Sequence, residues 1–199
     1  YLFEANLRAD ASSRFPKDDR FAFFPTFSLG WRLSQEKFWK PIAHIVNDFK
    51  IRGSYGALGN QVLLQGGNDM YYPYISTYTT GEVGYLFSGE KQMGVYAPGL
   101  VSDQLTWETV KQWDLGFNFS MFDSKLTGEF DYYVRTTEDM LTKSKTLPSI
   151  LGVSEPQMNA ADLRTSGWEV ALTWKSALQN GLAYSATLSL SDYQAEITK

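Results

Sequence analysis

Apolar and polar side chains alternate with a period of two residues along most of this chain. The clearest case is the segment 21–33, which reads FAFFPTFSLGWRL. Its odd positions carry Phe, Phe, Pro, Phe, Leu, Trp and Leu, whereas most even positions are small or polar. Successive side chains of a β-strand point to opposite faces. The segment therefore predicts a strand with one bulky apolar face and one small or polar face.

The same alternation recurs elsewhere, so the sequence predicts about seven strands. They are the segments 1–10, 21–33, 49–59, 107–122, 126–135, 168–175 and 182–191. Short connections alternate with long ones: Asp123-Ser124 and Gln179–Gly181 are turns, whereas 61–105 and 142–166 are long polar stretches. In residues 35–48 apolar side chains recur at spacings of three and four, which predicts a short amphipathic helix.

Alternation alone does not separate a membrane barrel from a soluble β-sandwich, whose strands also have one apolar face. Three features favour the barrel. The strands are about 10 residues long or more, against roughly 5–6 in soluble sheets. Long and short connections alternate, as they do between the two rims of a barrel. Aromatic residues lie near the ends of the apolar faces, as interfacial girdles require, at Tyr1, Phe21, Trp31, Trp113, Trp168 and Trp174.

The fold prediction is therefore all-β. We expect an antiparallel transmembrane β-barrel segment of about seven strands, with long extracellular loops and short periplasmic turns. The alternative is a soluble β-sandwich module that binds carbohydrate through its aromatic residues.

Composition narrows the partners and the chemistry. The 199 residues carry a net charge of −4 and no cysteine. An acidic chain lacks the clustered basic surface that nucleic acids need, and without cysteine it has no disulfide or thiolate metal site. No run of 18 apolar residues exists, so a membrane-spanning helix is excluded, while alternating strands keep the mean hydropathy at −0.29. We expect no nucleic-acid partner, no metal and no cofactor.

Candidate ligand-binding residues lie on the predicted polar faces of two neighbouring strands. They are Asp114, Asn118, Glu129, Asp131 and Arg135. The facing carboxylates could mimic an acid/base pair, but they are more typical of the lining of a watery lumen, so no catalytic residue is predicted.

A second set of candidates is a tyrosine-rich part of the long segment 61–105. Tyr71, Tyr72 and Tyr74 could stack on sugar rings, pack against a partner lid or form the core of the loop.

Other residues have simpler interpretations. The glycines at 53, 56 and 59 lack the GxGxxG spacing of a phosphate-binding loop and predict close packing of a strand. His44 is the only histidine and is expected at the surface of a helix or loop. Asp18-Asp19 and Asn68-Asp69 could offer oxygen ligands to calcium, but they lack EF-hand-like spacing, which favours solvated loops.

Six segments occur in an order that is typical of one family. They read RADASSRF (8–15), FPTFSLGWR (24–32), KIRGSYGALGN (50–60), LTWE (105–108), DYYVRTTEDML (131–141) and SGWE (166–169). Together they resemble the SusC/RagA-type TonB-dependent outer-membrane transporters. One departure is Ala11, where the family more often has glycine.

The resemblance implies that residues 1–199 are a late portion of a transporter barrel in the bacterial outer membrane, in contact with outer-membrane lipid. The plug domain and the remaining strands would lie outside this chain. It further implies TonB-dependent import of a nutrient, a glycan oligosaccharide or a peptide. TonB would act through the missing plug region, and a SusD-like surface lipoprotein would be the partner. A siderophore or cobalamin receptor of the same fold is the alternative within this class.

Strand parity places the long connections on one rim of the barrel and the short ones on the other. We therefore expect residues 18–19, 71–85 and 147–157 at the cell surface, and the turn at Asp123-Ser124 on the periplasmic side.

Overall fold

One antiparallel sheet of seven long strands makes up most of the chain in the computed structural model. The structure describes residues 1–65, 68–102, 105–143, 146–153, 155–178 and 181–199. The sheet strands are β1 (Leu2–Ala11), β2 (Phe21–Arg32), β3 (Val46–Asn60), β8 (Glu108–Met121), β9 (Leu126–Lys143), β10 (Gln157–Ala177) and β11 (Ala183–Ile197). Two small hairpins interrupt this series, β4 (Leu64–Gln65) with β5 (Asn68–Asp69) and β6 (Thr79–Phe87) with β7 (Glu90–Tyr96).

The spatial order of the sheet is β1-β2-β3-β8-β9-β10-β11, so each strand pairs with the next sheet strand along the chain. All these pairs are antiparallel. The prediction of about seven antiparallel strands is confirmed. The sheet is open, because β1 and β11 each pair on one side only within the described residues.

The register places most of the bulky apolar side chains of the seven strands on one face. Phe27 lies opposite Tyr55, and Ile51 lies opposite Phe117, which in turn lies opposite Phe130. The Phe117 and Phe130 rings stack with centroids 5.5 Å apart. Much of this face is uncovered; Leu115, for example, is 61% exposed. Such a broad exposed apolar surface fits a lipid environment rather than water.

The connections divide between two rims, as strand parity predicts. The short rim carries the connections that follow β2, β8 and β10, and the long rim carries those that follow β1, β3 and β9. On the short rim the Phe122 amide donates to the Ile45 carbonyl at 2.9 Å, so two of these connections touch. In the third, the Leu178 amide donates to the Leu182 carbonyl at 2.8 Å. Gln179 and Asn180, from the turn signal, lie outside the described residues.

The amphipathic helix predicted for residues 35–48 is wrong. The structure has 3-10 turns at Leu33–Gln35 and Lys37–Trp39, and no α-helix occurs anywhere in the described residues. Pro41 has no N–H to donate, and β3 already takes the chain from Val46 onward. The Trp39 ring stacks on Phe49 at 5.3 Å, so the apolar spacing reflects packing across a turn. No helix among the described residues is long and apolar enough to cross a membrane.

The long polar stretch predicted for residues 142–166 is shorter than expected. β9 runs to Lys143 and β10 already starts at Gln157, with register irregularities between Asn159 and Leu163. These strand ends lie beyond the apolar band, where both faces can be polar. The sequence there carries no apolar alternation by which a strand could be recognised.

A cluster of six buried apolar residues lies at the long rim, and we call it the rim cluster. Its members are Phe15, Phe24, Ala57, Leu63, Leu105 and Trp107. The Trp107 ring packs against Phe15 with centroids 5.0 Å apart, and its indole N–H donates to the Asp19 carbonyl at 3.0 Å. These contacts hold the connection after β1 against the start of β8.

Candidate functional site: the polar face of the sheet

Residues that lie directly opposite each other in consecutive strands form rows across the polar face. The middle row is Leu2, Gly30, Arg52, Gly116, Asp131, Glu169 and Ser191. The upper row, toward the long rim, is Glu4, Ser28, Ser54, Asp114, Tyr133, Gly167 and Tyr193. The lower row, toward the short rim, is Arg32, Lys50, Asn118, Glu129, Ala171 and Ser189.

Arg52 on β3 is the centre of one hydrogen-bonded group. Its Nε donates to Asn118 Oδ1 at 3.0 Å, and its Nη2 donates to Asp131 Oδ2 at 2.6 Å. The Asn118 amide in turn donates to Glu129 Oε2 at 3.3 Å. The group therefore links β3, β8 and β9 through charge-assisted bonds.

Gly116 makes the Arg52–Asp131 pair possible. It lies between the two residues in the middle row, and a Cβ at this position would overlap Asp131 Oδ1. Asp131 Oδ1 is itself buried, without a hydrogen-bond partner among the described residues. Because glycine leaves this space empty, the two side chains meet across an intervening strand.

A second group is centred on Gln112, which lies in the row next to the upper row, on its long-rim side. Arg135 Nε donates to Gln112 Oε1 at 2.8 Å, and the Gln112 amide donates to Asp114 Oδ1 at 2.7 Å. The Ser54 hydroxyl donates to the other oxygen of Asp114 at 3.1 Å. The Arg135 guanidinium also lies over the Tyr133 ring, 5.9 Å from its centroid.

The structure thus brings the five polar-face candidates together. Asp114, Asn118, Glu129, Asp131 and Arg135 all lie on one face and take part in these two groups.

Sequence reasoning missed three partners that complete the groups: Arg52, Ser54 and Gln112. Alternation does place Arg52 and Ser54 on the polar side of β3. Which residues of β8 and β9 they face depends on the strand register, for which the sequence carries no local signal.

The three loop tyrosines lie apart from this network, on the long rim. The Arg14 guanidinium lies over the Tyr71 ring at 4.7 Å, and Arg20 donates to the Tyr74 hydroxyl at 3.4 Å. Tyr74 also packs against the rim cluster. Tyr71 and Tyr72 line a cleft of about 620 Å³ among the long-rim connections.

The other carboxylate candidates lie in the connections between the sheet strands. Asp18 and Asp19 lie in a 3-10 turn, and the side chains of Asn68 and Asp69 are outside the described part of the chain. Across the described residues, no group of three or more His, Asp or Glu side chains could hold a metal ion. A Cβ at Gly59 would overlap the Phe24 ring, which agrees with the close-packing interpretation there, whereas at Gly53 and Gly56 it would make only ordinary contacts.

A sheet with one exposed apolar face and one hydrogen-bonded polar face, and with long and short connections on opposite rims, is the wall of a transmembrane β-barrel. The chain belongs to the family described as TonB dependent receptor-like, beta-barrel, whose sequence profile matches residues 1–198. It is an outer-membrane protein, and the family is one of receptors and transporters rather than enzymes. The family match sets aside the soluble β-sandwich.

Curated relatives support the resemblance to SusC/RagA-type transporters. The chain is 33% identical over 204 residues to TonB-dependent receptor P3 of Formosa agariphila, covering 100% of this chain and 19% of that protein. It is 29% identical over 199 residues to TonB-dependent receptor SusC of Bacteroides thetaiotaomicron, with the same coverage of 100% and 19%. The chain therefore spans about a fifth of the length of these relatives.

A solved structure gives the same result for the fold. The RagAB peptide importer in its open-open state superposes with a TM-score of 0.81 at 25% identity. The superposition covers 99% of this chain and 20% of that one. The predicted resemblance to this type of transporter is confirmed.

Proposed function

We propose that the polypeptide to which this chain belongs imports a nutrient across the outer membrane with energy delivered through TonB. The nutrient class is a glycan oligosaccharide or a peptide. The observation that carries the proposal is the pair of hydrogen-bonded polar groups across β3, β8 and β9, in a chain similar to SusC and to the RagAB peptide importer. A polar wall of this kind suits the passage of a hydrophilic solute.

This chain contributes part of the barrel wall. The outer edges of β1 and β11 pair with further strands of the same polypeptide, since a spanning sheet needs every edge closed. A plug domain within the barrel makes the contact with TonB. Asp114, Asn118, Glu129, Asp131 and Arg135 line the lumen around that plug and the solute path.

A SusD-like lipoprotein covers the long rim. Support comes from aromatic side chains that stand uncovered there: Tyr78 is 72% exposed, and Tyr71 is 65% exposed beside the cleft described above. Exposed aromatic residues are common anchors of protein interfaces. Tyr71 and Tyr72 can contact the lipoprotein or a captured solute, and Tyr74 supports the loop beneath them.

The test is a deletion of the gene in its own bacterium, complemented with the intact gene. Growth is measured separately on defined oligosaccharides, on peptide mixtures, and with iron or cobalamin limiting. The proposal expects a defect on one glycan or peptide source, restored by complementation and reproduced by loss of TonB. A defect confined to iron or cobalamin limitation would contradict it and favour a siderophore or cobalamin receptor.

A further inference from the structure

A groove opens on the polar face beside Gly30. It has a volume of about 500 Å³, within the range of small-molecule sites. On the polar face it is lined by Glu4, Ser28, Lys50, Arg52, Ser54 and Asp114. A Cβ at Gly30 would make only ordinary contact with the Leu2 side chain, at 3.5 Å, so there is room above this glycine.

Lys50 and Arg52 line the lower end of the groove, and Arg32 lies beside it; both arginines are already paired with a carboxylate. Lys50 lies directly opposite Arg32, and Arg52 follows two residues later on the same face. Arg32 pairs with Asp48 at 3.1 Å and Arg52 pairs with Asp131 at 2.6 Å. Among the described residues, the Lys50 ammonium group has no ion pair and no hydrogen bond. Since like charges opposite each other destabilise a sheet, this position favours an added anion.

The nearby carboxylates are bound to other groups. Glu129 lies beyond Asn118, from which it accepts a hydrogen bond. Glu4 accepts from the Asn6 amide at 2.8 Å, and Asp114 accepts from Ser54 and Gln112. Glu4 and Asp114 also belong to the upper row, about 13 Å along the strands from the lower row of Lys50.

We propose that the groove over Gly30 is a carboxylate-binding site whose charged anchor is Lys50. The ammonium group offers three donors, and the guanidinium of Arg52 has N–H groups beyond the two that bond Asn118 and Asp131. A carboxylate accepts from both groups, whereas a neutral hydroxyl would leave the extra positive charge uncompensated.

The carboxylate can come from two sources. One is the imported solute, and this branch rests on the proposed function. The other is an acidic side chain of the receptor's own polypeptide packed inside the barrel, and this branch does not depend on which solute is imported.

The first arm of the test uses the whole receptor, purified without solute. Lys50→Met, Lys50→Arg and the control Lys175→Met, a lysine of β10 outside the groove, are compared by their thermal unfolding midpoints. If the carboxylate belongs to the receptor, Lys50→Met lowers the midpoint, while Lys50→Arg and Lys175→Met leave it near that of the wild type.

The second arm measures uptake by cells of two matched probe pairs. One pair is a labelled tetrapeptide with a free C-terminal carboxylate and its amidated form; the other is a labelled oligouronide and its neutral counterpart. If the carboxylate belongs to the solute, the wild type prefers the charged member about tenfold, Lys50→Met loses the preference and Lys50→Arg keeps it.

The two arms separate the possible failures. If the wild type imports none of the probes, the proposed peptide or glycan function fails, and the unfolding arm alone decides on the site. The carboxylate site is overturned if Lys50→Met changes neither the unfolding midpoint nor any preference for a charged probe.

Discussion

At the scale of single residues, the ion pairing on the polar face depends on a glycine. Arg52 and Asp131 belong to β3 and β9, which are not neighbours in the sheet, and Gly116 lies between them. Their 2.6 Å ion pair therefore passes through space that any larger residue would occupy. A glycine at this position contributes to the charge pattern of the wall although it carries no polar side chain.

Replacing Gly116 with alanine tests this role directly. The new Cβ would overlap Asp131 Oδ1 and lie 2.7 Å from the Phe130 carbonyl oxygen. We expect Gly116→Ala to cost about 1–3 kcal/mol of stability, as overpacking does. The readout is the unfolding midpoint of the whole receptor in detergent.

The matched control is Gly53→Ala on β3. A Cβ there would lie 3.7 Å from the Asp114 carbonyl oxygen and 3.9 Å from Leu115, which is ordinary contact. The control should keep or slightly raise the midpoint, because alanine loses less backbone entropy on folding than glycine. Equal effects of the two substitutions would show that the space at Gly116 has no special role.

The turn between β8 and β9 offers a second prediction at this scale. Phe122, Asp123 and Ser124 all have a positive φ, at 56°, 55° and 63°. This conformation costs residues with a side chain roughly 1–2 kcal/mol each, and glycine adopts it freely. Asp123→Gly should therefore raise the unfolding midpoint.

Lys125 provides the comparison, because it lies in the same turn without a positive φ. Lys125→Gly should lower the midpoint or leave it unchanged, since glycine there only adds freedom to the unfolded chain. A higher midpoint for both variants would mean that the positive φ of these residues does not determine the stability of the turn.

At the scale of elements, the sequence predicts strands well where one face meets lipid. Period-two alternation located a part of each of the seven sheet strands, and β2 almost to the residue. It failed where both faces are polar: β9 and β10 extend well beyond the predicted segments because residues such as Asn159 carry no apolar signal. It also failed in 35–48, where apolar residues recur at helical spacing but pack across a turn.

The candidate site was predictable in part, for a related physical reason. Alternation assigns each residue to a face, which is enough to find Asp114, Asn118 and Asp131. The partners of these residues depend on register and on the empty space at Gly116, and both are properties of paired strands. Arg52 could therefore be assigned to the polar face from the sequence, but its bond to Asp131 could not.

The division between two rims gives a prediction about orientation. The β6–β7 hairpin turn at Ser88–Gly89 belongs to the long rim, and Ser124 belongs to the short rim. An epitope tag inserted after Gly89 in the whole receptor should be labelled on intact cells, because long connections of such barrels face outward. A tag inserted after Ser124 should be labelled only in permeabilised cells; labelling of intact cells there would reverse the orientation.

At the scale of the whole molecule, the sheet is a wall with different side chains on its two faces. Its outer face presents aromatic and aliphatic side chains, and its inner face holds the two hydrogen-bonded groups. The rim cluster adds the only set of fully enclosed apolar side chains among the described residues, and it fixes the long-rim connections to the strands. The chain thus provides an exposed apolar face, a hydrogen-bonded polar face and an ordered rim in about a fifth of the length of its relatives.

The central claim is that alternate residues of each strand face lipid and a watery lumen, and cysteine scanning tests it most directly. This chain has no cysteine of its own, and in a receptor whose cysteines elsewhere are replaced, single cysteines at positions 169 to 174 of β10 report one position each. In the membrane-embedded receptor, their reaction with a water-soluble thiol reagent is compared with quenching of an attached fluorophore by brominated lipid. We expect lipid quenching at positions 170, 172 and 174 and reaction with the water-soluble reagent at 169, 171 and 173. Uniform labelling along the strand, or quenching at 169, 171 and 173 instead, would contradict the assignment of the two faces.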